Sequence, residues 1–459
     1  MKIYTQEYSF NSDNHTSVGL YLSFKNRFRS PCLLESNEYS DRTASKSFIG
    51  LNPLIDIQVF PTEIRINEPN EVSIIPIDQT RKITNQIQPL LEKYLFQNQL
   101  DNNGFLSYFS FEFAHFEEHI CSLGTPSALP LARFTLFEYL IVIDHFHDRG
   151  SILFNSTDQT AKSDQEFLEL LQFNKASDLP FEVPEREKPL VSESDFLKLV
   201  QRAKQHLYRG DVFQLVVSRS FEQAFFGDDF QVYRQLRRLN PSPYLFYLDM
   251  ESYRLFGSSP ETQIQLKQGK AEIHPIAGTV RKTGDPITDN ALIRQLIDDE
   301  KENAEHTMLV DLARNDLSKF CHSVKIESFK EIQHFSHVIH LVSKVTAQTE
   351  EDALSLFNGT FPAGTLSGTP KPKALELLNL YEKNERGFYG GAVGFIHTNG
   401  NMNLAIIIRS ALSRNNTLRY QAGAGIVLDS VPESELEEVT NKLGAIRSAI
   451  KCASKTNFQ

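Results

Sequence analysis

A series of long strand-like runs with no regular strand–helix–strand period constrains this chain most. FTLFEYLIVIDHF (134–146), VFQLVVSRSF (212–221), YGGAVGFIHT (389–398), MNLAIIIRSAL (402–412) and LRYQAGAGIVL (418–428) are strand-like, and the helical stretches between them are irregularly spaced. Parallel doubly wound sheets need that alternation. The expected class is therefore α+β, with large, mainly antiparallel sheets.

Length and charge narrow the rest. A chain of 459 residues can hold two domains or one unusually large core, and 40% hydrophobic with 23% charged residues is ordinary for a globular protein. A formal net charge of −11 argues against broad nucleic-acid binding, since phosphate contacts need a basic surface. Cysteines 32, 121, 321 and 452 show no C-x-x-C spacing, so neither a disulfide framework nor a zinc knuckle is indicated, and a reducing cytoplasm fits. The opening MKIYTQEYSF lacks a basic then apolar leader, and YLIVI and LAIII are too short to span a bilayer; no export and no membrane span are expected. Residues 156–190 turn polar and proline-containing around one short amphipathic stretch, which suggests a linker between regions 1–185 and 186–459.

Two helices carry charge where it is not expected. In DDEKENAEHTMLVDLARND (298–316), at about 100° per residue, Met308, Leu309 and Leu312 share a face and Glu305 points between Leu309 and Leu312. A carboxylate there is normally paired, protonated or bound to a metal. In DSVPESELEEVTNKLGAIRSAI (429–450), Asp429 or Ser430 suits a cap and Leu436, Val439, Leu443, Ile446 and Ile450 form a core stripe. Glu435, Glu438 and Lys442 border that stripe, and Glu438 with Lys442 also has ordinary ion-pair spacing. Between these helices, TFPAGTLSGTPKPKA (360–374) places Gly364, Thr365, Ser367 and Gly368 before a helix starting near Pro370, a turn that suits an anion or simply a turn. Gly423 and Gly425 in QAGAGIV allow close backbone approach or mark a bulge.

Taken in order, SPET (259–262), PIAGT (275–279), EHTMLVDLARND (305–316), HVIHLVS (337–343), PAGTLSGTPK (362–371), FYGGAVG (388–394), IRSAL (408–412) and QAGAGIVLDSVPESELEEVTNK (421–442) resemble the chorismate-utilising enzymes, most closely the anthranilate synthase component I family. The resemblance spans nearly everything from about residue 190 onward and is looser before it. It implies antiparallel sheets packed as a sandwich with helices outside, and conversion of chorismate and ammonia to anthranilate and pyruvate. It also implies Mg2+ held by Glu305 and Glu438, with Glu302 and Glu435 nearby. That fits magnesium's preference for one or two carboxylates together with substrate oxygens.

The same resemblance implies roles for single residues. Arg409, Tyr389, Lys442, Thr365 and the backbone of Gly423 and Gly425 match contacts to substrate; His340 matches a general acid and Glu261 a carboxylate that moves a proton during pyruvate loss. Imidazole suits acid catalysis because its proton affinity lies near working pH. Each has a plainer alternative: a surface arginine, a core tyrosine, a structural histidine in a loose group with His334 and His337, a loop ion pair. Gln214 stands where isochorismate and salicylate synthases carry a water-activating lysine, and Ala277 where many aminodeoxychorismate synthases carry a nucleophilic lysine. Aminodeoxychorismate synthase component I stays the nearest rival.

LLES with Ser36, Lys46 downstream, and NPSPYLFYL with Pro243, Tyr244 and Leu245 resemble a tryptophan-sensing site, and the chain itself contains no tryptophan. No cysteine lies in a G-x-C-x-G turn, so a separate glutamine amidotransferase subunit, component II, is the expected ammonia source. HFEEH (115–119) fits the metallopeptidase pattern H-x-x-E-H, with nothing nearby supplying a third ligand.

Overall fold

The computed structural model describes residues 1–36, 45–98, 100–118, 120, 128–161, 167, 171, 179–334 and 338–455. Strand pairing among them is antiparallel except for one two-residue ladder, Lys2↔Leu95 and Ile3↔Phe96. The longest ladder joins Lys46–Val59 to Ala132–Asp144, with a register shift between Pro53 and Ile55. Strands on both sides of residue 185 share this hydrogen-bonded network. Cys32–Ser36 lies between Lys46–Val59 and Tyr244–Asp249, and Gly104–Phe109 pairs with Ala392–His397. The chain is thus α+β with large antiparallel sheets, as the irregular spacing of strands and helices predicts.

Aromatic packing fills the interior. Phe109 lies 4.1 Å from Phe357 and Phe357 4.7 Å from Phe361, ring centroid to centroid, tying an N-terminal strand to the helix Ala353–Thr360. Each fully buried ring contributes about 1.5–3 kcal/mol relative to exposure, so such contacts bind the two regions strongly. The polar stretch 156–190 takes part as well. Phe167 is buried 4.1 Å from the ring of Tyr139, and Leu171 is buried too; most of residues 162–178 lie outside the described set.

Helix ends follow local chemistry. Glu193–Arg209 starts where Ser192 Oγ accepts from Asp195 N at 3.1 Å and stops at Gly210 in the left-handed conformation (φ 78°). Asp299 caps Glu300–Ser318 by accepting from Glu302 N at 2.9 Å. The final helix departs from expectation. It is two helices, Pro432–Lys442 and Gly444–Lys455, and Val431 occupies the cap position without a side-chain bond. Ser430 Oγ instead accepts from Val427 N at 3.1 Å, closing the preceding turn. Val439, Leu443, Ile446 and Ile450 are buried as the stripe predicts, while Leu436 is half-buried.

Candidate active site

Two antiparallel partners break at the same level. Thr262–Lys267 pairs with Met402–Ile406, and Arg254–Ser259 pairs with Ser410–Arg414, leaving Pro260–Glu261 opposite Ile407–Arg409. Backbone bonds cross the gap: Ile406 N donates to Glu261 O at 3.0 Å and Ser258 N to Arg409 O at 3.1 Å. Arg409 adopts φ 48°, a left-handed conformation that costs a non-glycine residue about 1–2 kcal/mol. Its guanidinium is held by Asn240 Oδ1 at 3.1 Å.

The charges in this gap depend on one another. Burial raises the Glu261 pKa, and Arg409, Lys442 and the neighbouring Thr365 hydroxyl oppose the rise. Burial lowers the Arg409 pKa, opposed by Glu261. Among the described residues, Glu261 Oε2 and Thr365 Oγ1 are both buried without a well-formed hydrogen bond, although Thr365 lies close enough to lower the Glu261 pKa. Unpaired buried polar atoms are costly, and here two of them face one space. A cavity of about 60 Å³ adjoins them, lined also by Leu309, Leu312 and Ala313 of the helix Glu300–Ser318.

One wall comes from the ladder between Gln214–Ala224 and Thr417–Ile426, in which Gly425 faces Val216 and Gly423 faces Ser218 without a register shift. The two glycines therefore mark close approach rather than a bulge. A Cβ at Gly425 would lie 2.6 Å from Gln214 Nε2, and one at Gly423 would lie 2.8 Å from Val217 O and 3.0 Å from Tyr389 Oη. Gln214 is buried, and its Oε1 has no hydrogen-bond partner among the described residues. Lys442 Nζ bridges Gly423 O at 3.1 Å and Glu438 Oε1 at 2.7 Å.

A second wall carries the histidine. Ile276–Arg281 pairs with Val338–Gln348, and the register shifts between Ala277 and Thr279. Gly278 sits in that bulge at φ 76°, where a side chain would be strained. Its carbonyl lies 3.4 Å from His340 Nδ1, and a Cβ on it would lie 3.4 Å from Glu302 Oε2. His340 is buried, and burial chiefly, with Arg409 adding, lowers its pKa to about 4, so the imidazole is neutral at pH 7. Of its sequence neighbours, His337 and the His334 side chain lie outside the described residues.

The two charged helices differ in detail from their sequence reading. In Glu300–Ser318 the buried residues are His306, Leu309, Val310, Ala313, Asp316 and Leu317, and Met308, Leu312 and Glu305 sit half-buried. Leu312 packs on Gly364, where a Cβ would come within 1.8 Å of it. Glu435 is buried, whereas Glu438 is about half exposed in its ion pair with Lys442. Among the described residues no three His, Cys, Asp or Glu side chains form a metal-holding group. The available donors are carboxylates from two helices, a hard-oxygen set that suits Mg2+, which needs only one or two of them. Lys371, the first residue of the helix Lys371–Tyr381, is buried, and its Nζ bonds Asp316 Oδ2 at 3.1 Å and Thr360 O at 2.8 Å, both residues of the cavity lining.

Residues 39–448 match the family model for chorismate binding enzymes. The chain belongs to the chorismate-binding enzyme family. It is 34% identical to anthranilate synthase component 1 of Aquifex aeolicus (strain VF5), covering 97% of this chain and 94% of that protein. It is 39% identical to anthranilate synthase component 1 of Saccharolobus solfataricus, over 76% and 81% of the two chains. The crystal structure of anthranilate synthase component I from Streptococcus pneumoniae TIGR4 superposes with a TM-score of 0.75 at 31% identity, covering 87% of this chain and 92% of that one. The fold extends further: the menaquinone-specific isochorismate synthase of Escherichia coli gives a TM-score of 0.75 at 16% identity, over 98% and 94% of the chains.

The two sequence segments expected to sense tryptophan are neighbours in this chorismate-binding enzyme. Ser36 pairs with Tyr244 and Glu35 with Leu245 across one ladder, and Glu35 pairs with Ser47, next to Lys46. Lys46 Nζ donates to Asn102 Oδ1 at 3.0 Å, Tyr244 Oη meets Thr262 Oγ1 at 2.9 Å, Leu245 is buried, and Pro243 is half-buried. Residues 37–44 of the segment lie outside the described set. Several buried charges escaped the sequence reading. Glu35 accepts from Arg237 Nε at 2.8 Å and Tyr233 Oη at 2.6 Å, and Arg386 bonds Glu382 Oε2 at 2.6 Å while its guanidinium lies 5.9 Å from the Tyr389 ring. His115 of HFEEH is buried, and among the described residues neither ring nitrogen has a hydrogen-bond partner; His119 lies outside the described residues. Among the described residues no helix is long and apolar enough to cross a membrane.

Proposed function

We propose that this chorismate-binding enzyme is an anthranilate synthase component I, a lyase converting chorismate and ammonia to anthranilate and pyruvate in tryptophan biosynthesis in the cytoplasm. The observation that carries this reading is the paired strand break, which sets Glu261 against Arg409 beside Thr365, with His340 and Lys442 close by. The names of its relatives agree with it.

In this reading Arg409, held by Asn240, takes a substrate carboxylate beside Tyr389. Thr365 Oγ1 and the main chain at Gly423 and Gly425 fit the substrate where a Cβ would not. Lys442 adds positive charge, so an acidic protein offsets an anionic substrate locally. Glu305 and Glu438 would hold Mg2+, with Glu302 and Glu435 nearby, and the ion when bound would supply positive charge against a substrate carboxylate. His340 is neutral in the free chain; the negative charge of bound substrate raises its proton affinity and allows it to protonate the departing hydroxyl. Glu261, whose proton affinity burial already raises, moves the proton in pyruvate loss. Gln214 offers an amide in place of a water-activating lysine, which favours ammonia as nucleophile. Ser36, Lys46, Pro243, Tyr244 and Leu245 form the site of feedback inhibition by tryptophan, and a glutamine amidotransferase subunit supplies ammonia.

The test is the nitrogen source. The purified single chain with chorismate and Mg2+ turns over with ammonium and not with glutamine, and EDTA stops it. Glutamine-dependent turnover by the chain alone, or full activity in EDTA, contradicts the reading.

A further inference from the structure

A second cavity, of about 220 Å³, lies outside the site described above, under the first half of the helix Glu193–Arg209. Its floor is the same sheet face that carries Gly423. Ser218, Ser220 and Gln421 line it, together with Glu382, which is ion-paired to Arg386. Leu190, Val191 and Leu199 make one side apolar.

The polar groups here are unequally satisfied. Ser218 Oγ donates to Glu382 Oε1 at 2.6 Å and accepts from Gln421 Nε2 at 2.7 Å, and Arg386 donates to both Glu382 oxygens, so the carboxylate is fully engaged. Ser220 is 2% and Gln421 9% exposed, yet among the described residues Ser220 Oγ and Gln421 Oε1 have no hydrogen-bond partner. Both open into the cavity. At its mouth stand Lys198, Arg202 and Lys383 against Asp195. Asp195 accepts from Ser192 Oγ at 2.9 Å and lies 3.6 Å from Lys198 Nζ. Arg202 stacks 5.3 Å over the Tyr381 ring, and neither it nor Lys383 makes an ion pair among the described residues. The mouth therefore carries unspent positive charge, the walls are apolar and the floor offers acceptors.

We infer that this cavity binds a single-ring hydroxycarboxylate: carboxylate on Arg202 and Lys383, ring against Leu199 and Tyr381, hydroxyl donated to Ser220 or Gln421. The inference rests on the cavity alone and not on the reaction proposed above.

The probe is 4-hydroxybenzoate, titrated calorimetrically into the full chain and into Arg409→Ala, which silences the candidate active site. Saturable binding is expected in both, weakened about tenfold or more in Arg202→Ala and in Lys383→Ala, as loss of a charge-assisted contact requires. Benzoate and phenol, each lacking one of the two groups, bind more weakly. Arg202 and Lys383 are exposed, so these variants keep the fold. Binding that disappears in Arg409→Ala alone, binding indifferent to both substitutions at the mouth, or no saturation up to about 10 mM overturns the inference.

Discussion

Arg409 holds a backbone conformation that an L-residue adopts only at a cost, and it does so where its side chain meets Glu261. Strain of this kind persists where the surroundings over-determine it. Arg409→Gly and Arg409→Ala should lose activity alike, while denaturant unfolding shows the glycine variant more stable than the alanine variant by about 1 kcal/mol. Equal stabilities would mean that φ is not strained. Gly425→Ala should fold, because its Cβ meets only the movable end of Gln214, yet chorismate turnover should fall at least about tenfold as the side chain and Gln214 compete for the space. Neither Arg409 nor Glu261 was legible as one of a pair. Both motifs could be read, but their meeting depends on two strands exchanging partners at one level, some 150 residues apart in sequence, and no local pattern encodes that. Glu35 reads as surface because its partner Arg237 is distant in sequence, whereas Glu382 and Arg386 have ordinary i,i+4 spacing and only the fold buries them, with Arg386 donating to Leu366 O and Val216 O.

Elements show the reverse balance. The helices Glu193–Arg209 and Glu300–Ser318 were readable from their acidic first turns and apolar spacing, since such signals are local. The division of the last helix at Leu443 was not, because the buried stripe of Val439, Leu443, Ile446 and Ile450 continues across it. One buried ion pair ties two elements together: Lys371 at the start of its helix and Asp316 near the end of Glu300–Ser318. Lys371→Met alone should destabilise the fold by less than the about 3–5 kcal/mol of a fully orphaned buried charge, because Lys319 Nζ stays 3.3 Å from Asp316 Oδ1, and adding Asp316→Leu should recover part of it. Urea unfolding of the single and double variants measures this, and a double variant worse than the single contradicts it. At the other end of the sheet, Ser36→Ala should raise the tryptophan concentration needed for half-inhibition, read from turnover against added tryptophan; an unchanged inhibition curve removes Ser36 from the sensing site.

For the whole molecule, acid stability reports the buried histidines. His115, His340 and His397 each have a pKa lowered to about 4, first by burial. The unfolded chain binds their protons near pH 6.5, so each favours the fold above that value and destabilises it progressively as pH falls toward 4. Glu112, raised to about 7 by burial, acts oppositely over the same range, so the total slope mixes both signs and a single substitution is the cleaner measure. In His115→Phe the loss of stability between pH 8 and 4.5 should be smaller than in the parent by about 2–3 kcal/mol; an identical pH dependence would mean that His115 is not buried as described. The central claim concerns what the assembled site makes. Chorismate, ammonium and Mg2+ incubated with the purified chain, with the products identified by mass, should give anthranilate and pyruvate in equal amounts, both abolished in Glu438→Ala and strongly reduced in Glu261→Gln. Accumulation of 4-amino-4-deoxychorismate, or no conversion at all, would contradict it.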